Sequence, residues 1–128
     1  MGITPDSVAR WLEQSTVGWA SETSDGQIVG FCMADGGTGE LLVIALLPEY
    51  EGSGIGGRLM QCAETFLAES GCKKAWLTTD VDPSLRAYGF YRHRGWTDWK
   101  LDRGMRWMEL PLSMRSTDSI LNAKPGDV

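Results

Sequence analysis

Hydrophobic and polar positions alternate along this chain in three distinct rhythms, and each rhythm predicts a different element. Val8, Trp11 and Leu12 fall on one helical face after Thr4-Pro5-Asp6-Ser7. Thr4 as cap, Pro5 at the first helical position and Asp6 in the first turn are residues that open helices. A short helix ending near Ser15 is therefore expected. Residues 17–23 and 28–34 flank Ser24-Asp25-Gly26-Gln27, which predicts a β-hairpin. After a second turn over Asp35-Gly36-Gly37-Thr38-Gly39, residues 41–47 are apolar without a break, as in a strand buried on both faces. Pro48 closes that run.

A helical rhythm then opens near Gly54 and carries Ile55, Leu59, Cys62 or Ala63, and Phe66, with Gly71 where a C-cap belongs. Residues 75–79 read as a strand. Pro83 and Ser84 start a second helix through Leu85, Ala87, Tyr88 and Tyr91, ending near Gly95. Residues 96–101 and 105–110 are strands around Asp102-Arg103-Gly104. Strand 41–47, helix 54–70 and strand 75–79 make a βαβ unit, which requires two parallel strands. The expected fold class is α/β (α+β). It is one domain, with a mixed, mostly antiparallel twisted sheet whose central parallel βαβ pair is flanked by helices. From Ser113 the chain turns polar and aperiodic, so the domain is placed at residues 1–112 and a flexible tail at 113–128.

Composition narrows the function. With 128 residues, 42% hydrophobic and 23% charged, the chain has the make-up of a soluble globular protein. The longest apolar run is far short of the roughly 20 residues that cross a bilayer, and the first residues lack a secretory signal, so no membrane association is expected. A net charge of −5 argues against a general nucleic-acid binder. The charge is uneven: residues 1–82 carry four basic and twelve acidic side chains, and residues 83–128 carry eight and five. That division suits a cation-attracting face and an anion-accepting end. Cys32, Cys62 and Cys72 show no pairing motif and read as reduced thiols of a cytoplasmic protein. One histidine, His93, and no CxxC pair give no metal site.

The candidate chemistry lies in Leu46-Leu47-Pro48-Glu49-Tyr50-Glu51-Gly52-Ser53-Gly54-Ile55-Gly56-Gly57. A buried strand runs into a loop with glycine at alternate positions, and the loop opens a helix. Glycine lets backbone approach a ligand closely, and a helix start offers unpaired N–H groups at the positive end of its dipole. Together these can seat phosphate oxygens, although a plain tight turn fits the same residues equally well. The loop lacks the Gly-Lys-Ser/Thr ending of a P-loop, and Asp80 is only a loose match to the acidic residue of a dinucleotide fold.

Glu51-Gly52-Ser53-Gly54-Ile55-Gly56 resembles the acetyl-CoA-binding motif of the GNAT superfamily of N-acetyltransferases, Gln/Arg-x-x-Gly-x-Gly/Ala. Independently, residues 87–96 resemble the family's Ala-x-x-Phe-Tyr-x-x-x-Gly-Phe pattern, with Trp96 as the final aromatic. The resemblance covers about residues 4–112 and implies acetyl-CoA as cosubstrate. Gly52, Gly54 and Gly56, with Ser53, Ile55 and Gly57, would hold the diphosphate. Ala45 and Leu46 would pair with the pantetheine arm. Glu51, Arg58 and Ser84 are further candidate coenzyme contacts; Arg92 and Arg94 are weighed as phosphate contacts against ordinary exposed arginines. Tyr91 matches the tyrosine that protonates the leaving thiolate, and Glu40 a glutamate that serves as general base in some members. Asp80 and Trp19 are candidates for acceptor binding.

Three departures from the pattern stand out. Glu51 replaces Gln or Arg, Ser84 stands where many members have Asn, and the family's first strand is expected to be missing. The acidic front part suits an amine-bearing, cationic small-molecule acceptor; a peptide or protein amine is the rival, and a silent acyl-CoA-binding module the alternative of another class. An uncovered sheet edge would be compatible with a homodimer.

Overall fold

The computed structural model describes the backbone of residues 8–13 and residues 15–112 in full. Seven strands form one sheet in the order β1-β2-β3-β4-β5-β7-β6. They are β1 (Val8–Glu13), β2 (Thr16–Glu22), β3 (Ile28–Asp35), β4 (Glu40–Leu46), β5 (Lys74–Thr79), β6 (Thr97–Asp102) and β7 (Met105–Pro111), with helices α1 (Ile55–Glu69) and α2 (Arg86–His93). Every pairing is antiparallel except β4 with β5. The mixed sheet with one central parallel pair is the architecture expected from the element order.

The N-terminal expectation is corrected. Residues 8–13 are a strand, not a helix, and pair with β2 from Val8↔Ser21 to Glu13↔Thr16. The family's first strand, expected to be missing, is therefore present as the edge strand. A segment this short gains little from an isolated helix, whereas the free edge of β2 satisfies its backbone along the whole ladder. The cap residues Thr4, Pro5 and Asp6, and the tail 113–128, lie outside the described residues.

One face of the sheet holds the core. The helical rhythm read from the sequence is the buried stripe of α1: Ile55, Leu59, Met60, Ala63 and Leu67. It packs on Val17, Trp19, Cys32, Leu77, Met108 and Leu110 from the strands, and Tyr91 and Trp96 close the same cluster beside α2. Strand alternation sends Trp76 and Trp107 to the opposite face, where their rings stack at 5.2 Å and meet the half-exposed Trp99.

Candidate active site

The parallel pair gives the site its shape. β4 and β5 are in register only at Glu40↔Trp76, where the Trp76 N–H donates to the Gly39 carbonyl at 3.0 Å. Past that point the two strands diverge, leaving the C-terminal half of β4 with an unpaired edge. On its other edge β4 pairs with β3, and the Leu47 N–H continues that ladder by donating to the Val29 carbonyl at 2.9 Å. Alternation along an antiparallel ladder then engages Ala45 with Phe31 and turns the peptide groups of Ile44 and Leu46 toward the open side.

After β4 the chain makes a 3₁₀ turn at Pro48–Tyr50 and enters the glycine loop. Gly52 and Gly54 have φ of 80° and 91°, values that an L side chain rarely adopts. Gly54 caps α1, no side chain bonds the cap, and the first turn holds no acidic residue. The first-turn amides are thus neither capped nor neutralised from within the helix. This is the observation that fits a diphosphate to the loop: a row of N–H donors ending a helix of 15 residues, facing open space.

A cavity of about 610 Å³ joins this loop to the open edge of β4. Ile44, Ala45 and Leu46 form one wall, Gly52, Gly54, Gly56 and Gly57 another, and Ala87, Phe90 and Tyr91 of α2 the third. Glu51, Arg86, His93 and Arg94 stand around it. Tyr91 is only 8% exposed. Burial first, and nearby Cys32 second, push its hydroxyl above the ordinary phenol range. That hydroxyl has no hydrogen-bond partner among the described residues, so Tyr91 offers the cavity a proton that it holds throughout neutral pH.

Of the residues singled out from the sequence, the cavity gathers Ala45, Leu46, Glu51, Gly52, Gly54, Gly56, Gly57, Tyr91 and Arg94, whereas Arg92 is exposed outside it. Ser53 turns its hydroxyl to the Tyr50 carbonyl, and Ile55 buries its side chain in the core while its amide remains in the first turn. Arg58 is exposed on α1 outside the cavity. Ser84 donates to Asp82 at 2.7 Å, and Asp80 accepts from the Asp82 N–H at 2.9 Å, so both shape the β5–α2 turn. Trp19 lies in the core, edge-on to Phe66 at 5.6 Å, rather than on a pocket wall.

Glu40 sits where β4 and β5 part, across from Asp35 on β3 and on the face opposite to buried Leu41. Partial burial first, and the Asp35 charge second, raise its carboxyl above the usual glutamate value. Glu40 and Tyr91 are therefore not neighbours; they stand on the two faces of the sheet, either side of the gap between the strands. Cys32 is fully buried and its thiol is pushed up to about 12, chiefly by burial, which makes it a core residue and no nucleophile. Among the described residues no cluster of three or more metal-ligating side chains occurs, and no helix is long and apolar enough to cross a membrane.

Other cavity residues were not assigned to the site from the sequence, Ala87 among them. Ile44 follows from strand alternation, which needs the β3–β4 register. Arg86 and Phe90 face the glycine loop only because α2 packs beside α1. His93 is exposed and borders the cavity.

Comparison with known proteins adds to this geometry. The mycothiol acetyltransferase of Pseudarthrobacter chlorophenolicus is 36% identical over 64 residues, 50% of this chain and 20% of that protein. The chain thus spans about a fifth of that relative's length. The crystal structure of nourseothricin acetyltransferase is 25% identical, with a TM-score of 0.68 over 77% of this chain and 66% of that one. PaiA N-acetyltransferase from Thermoplasma acidophilum, solved in complex with coenzyme A, has the same fold at a TM-score of 0.68 and 24% identity, covering 76% of this chain and 61% of that one. The family model described as the acetyltransferase (GNAT) family matches residues 4–96. That match takes in the parting strands, the glycine loop and the helix that carries Tyr91, and the chain belongs to the GNAT family.

Proposed function

We propose that this chain is an N-acetyltransferase that uses acetyl-CoA and acetylates a primary amine of a cationic small molecule, by direct attack with both substrates bound. The observation that carries this reading is the single cavity joining uncapped helix amides to an unpaired strand edge, with a buried tyrosine between them. Acetyl-CoA supplies an activated acetyl thioester. The amides of Gly52, Gly54, Ile55, Gly56 and Gly57 bind its diphosphate, and the outward peptide groups of Leu46 pair with the pantetheine arm.

An alkylammonium with pKa near 10.4 is almost wholly protonated at pH 7, and freeing its amine costs roughly 4–5 kcal/mol. Glu40 takes that proton on the outer face of the sheet. It lies four residues from Ile44, roughly 13 Å along a strand, so the proton passes through water. The Ile44 N–H donates a hydrogen bond to the charge developing on the thioester carbonyl oxygen. The Tyr91 hydroxyl gives its proton to the departing thiolate from the helical face. Acceptor and donor thus approach from opposite faces and meet in the gap between β4 and β5. Glu40 beside Asp35 makes the acceptor side acidic, which favours a cationic amine. The three free cysteines suit a reducing compartment such as the cytoplasm.

The test is thiol release from acetyl-CoA with a panel of amines. Turnover with polyamine-like or aminoglycoside-like acceptors supports the reading. Turnover confined to peptide amines moves the acceptor class. Coenzyme A binding without transfer to any amine leaves a binding module.

A further inference from the structure

We propose that Arg94 binds the diphosphate of the donor, and that Glu64 is the positioning residue that aims it. The proposal rests on the reading of the cavity as a coenzyme A site. Glu64 lies on α1, only 2% exposed. Its carboxylate accepts Arg94 Nη2 at 2.8 Å, Arg94 Nε at 3.2 Å and the indole N–H of Trp96 at 3.0 Å. A guanidinium held side-on, through Nε and one Nη, has its remaining nitrogen pointing away from the carboxylate. That nitrogen, Nη1, has no partner among the described residues. It faces the glycine loop: a Cβ built on Gly57 would come 3.5 Å from it. Arg94 lines the cavity, and Gly57 belongs to the uncapped first turn of α1.

A buried ion pair that served only to fasten α1 to α2 would be poorly suited to the task, since apolar contacts fasten helices without desolvating two charges. Here the fork fixes the orientation of a cation whose third nitrogen sits beside Gly57, in the first turn of α1. The arrangement also answers the charge at Glu51. That carboxylate is 3.4 Å from Arg86 Nε, so its charge is offset from α2, and Arg94 adds positive charge near Gly57.

The experiment uses calorimetry with coenzyme A and steady-state kinetics on the parent chain and two variants. The double variant Glu64→Gln/Arg94→Met removes both charges of the pair together, and Gln still accepts from Trp96. Arg94→Lys keeps the positive charge and loses the fork. The double variant is expected to bind coenzyme A about 10- to 100-fold more weakly, as for the loss of one hydrogen bond to a charged group. The loss should appear in KM for acetyl-CoA rather than in kcat. It should vanish when the donor is S-acetylpantetheine, which has no phosphate. Arg94→Lys should show an intermediate loss, and it carries the test if the double variant does not fold.

Unchanged coenzyme A affinity in a folded variant overturns the role of Arg94 and leaves the site intact. An equal loss with S-acetylpantetheine overturns it too, because the pair would then be purely structural. A parent that binds inorganic diphosphate but not coenzyme A overturns the coenzyme reading alone, and the variants are then compared on diphosphate. A parent that binds neither ligand overturns both.

Discussion

In the proposed reaction Tyr91 and Glu40 have opposite duties, acid and base, and their surroundings differ accordingly. Burial keeps the Tyr91 hydroxyl protonated, so Tyr91→Phe should lower kcat by about 10²-fold or more, as for the loss of a general acid. Coenzyme A affinity should be unchanged, because the hydroxyl has no hydrogen-bond partner among the described residues. Full activity in that variant across pH would remove Tyr91 from the reaction. Glu40 must be ionised to act as a base, and burial together with Asp35 raises its carboxyl. The acid limb of kcat/KM should therefore inflect above the ordinary glutamate value, with activity rising as pH rises through it. Glu40→Gln should abolish that limb and most of the turnover. The linkage sign is the reverse for stability. A carboxyl raised on folding holds its proton better in the native state, so its ionisation weakens the fold as pH rises from the unfolded value through the folded one. Glu40→Gln should flatten that part of the pH–stability curve. Both residues were legible as motif positions in the sequence. Their placement on opposite faces was not, because it depends on the irregular β3–β4 register between Met33 and Ala34.

At the scale of elements, the glycine loop and α1 were legible almost to the residue, since alternating glycines and a helical apolar stripe are local signals. Gly54 shows the physical reason: its φ of 91° lies where an L side chain is strained. Gly54→Ala should cost about 1–2 kcal/mol of stability, read by denaturant unfolding, and should weaken coenzyme A binding by displacing the first-turn amides. The segment 8–13 was misread because six residues with apolar positions at Val8, Trp11 and Leu12 fit a helical face. Its strand conformation is decided by the edge of β2, a tertiary partner that no local pattern reveals. The same holds for Arg94. Its anchor Glu64 stands 30 residues earlier in the chain, so the pair exists only once α1 and α2 pack together. Trp19 failed as an acceptor residue for the opposite reason. An aromatic in a strand is more often core than pocket wall, and the position of Phe66 makes it so.

At the scale of the whole molecule, the sheet divides the labour. One face, under both helices, supplies the core and the cavity proposed for the donor; the other carries Glu40 and a stacked tryptophan pair. Stability should therefore be lopsided. Leu59→Ala, at a fully buried position of α1, should cost about 2–5 kcal/mol. Trp99→Ala on the open face, where the ring is 42% exposed, should cost about 1 kcal/mol, since it loses little burial, one edge-on contact with Trp107 and weak cation–π contacts. Comparable losses at the two positions, measured by urea unfolding, would mean that the outer face is as well packed as the core. The central claim concerns the cavity that unites loop, strand edge and tyrosine, and calorimetric titration of the folded chain with coenzyme A tests it most directly. Saturable one-site binding, competed by acetyl-CoA and weakened by Gly54→Ala, is the expected result; a folded chain that gives no binding heat over a range of temperatures would contradict the account.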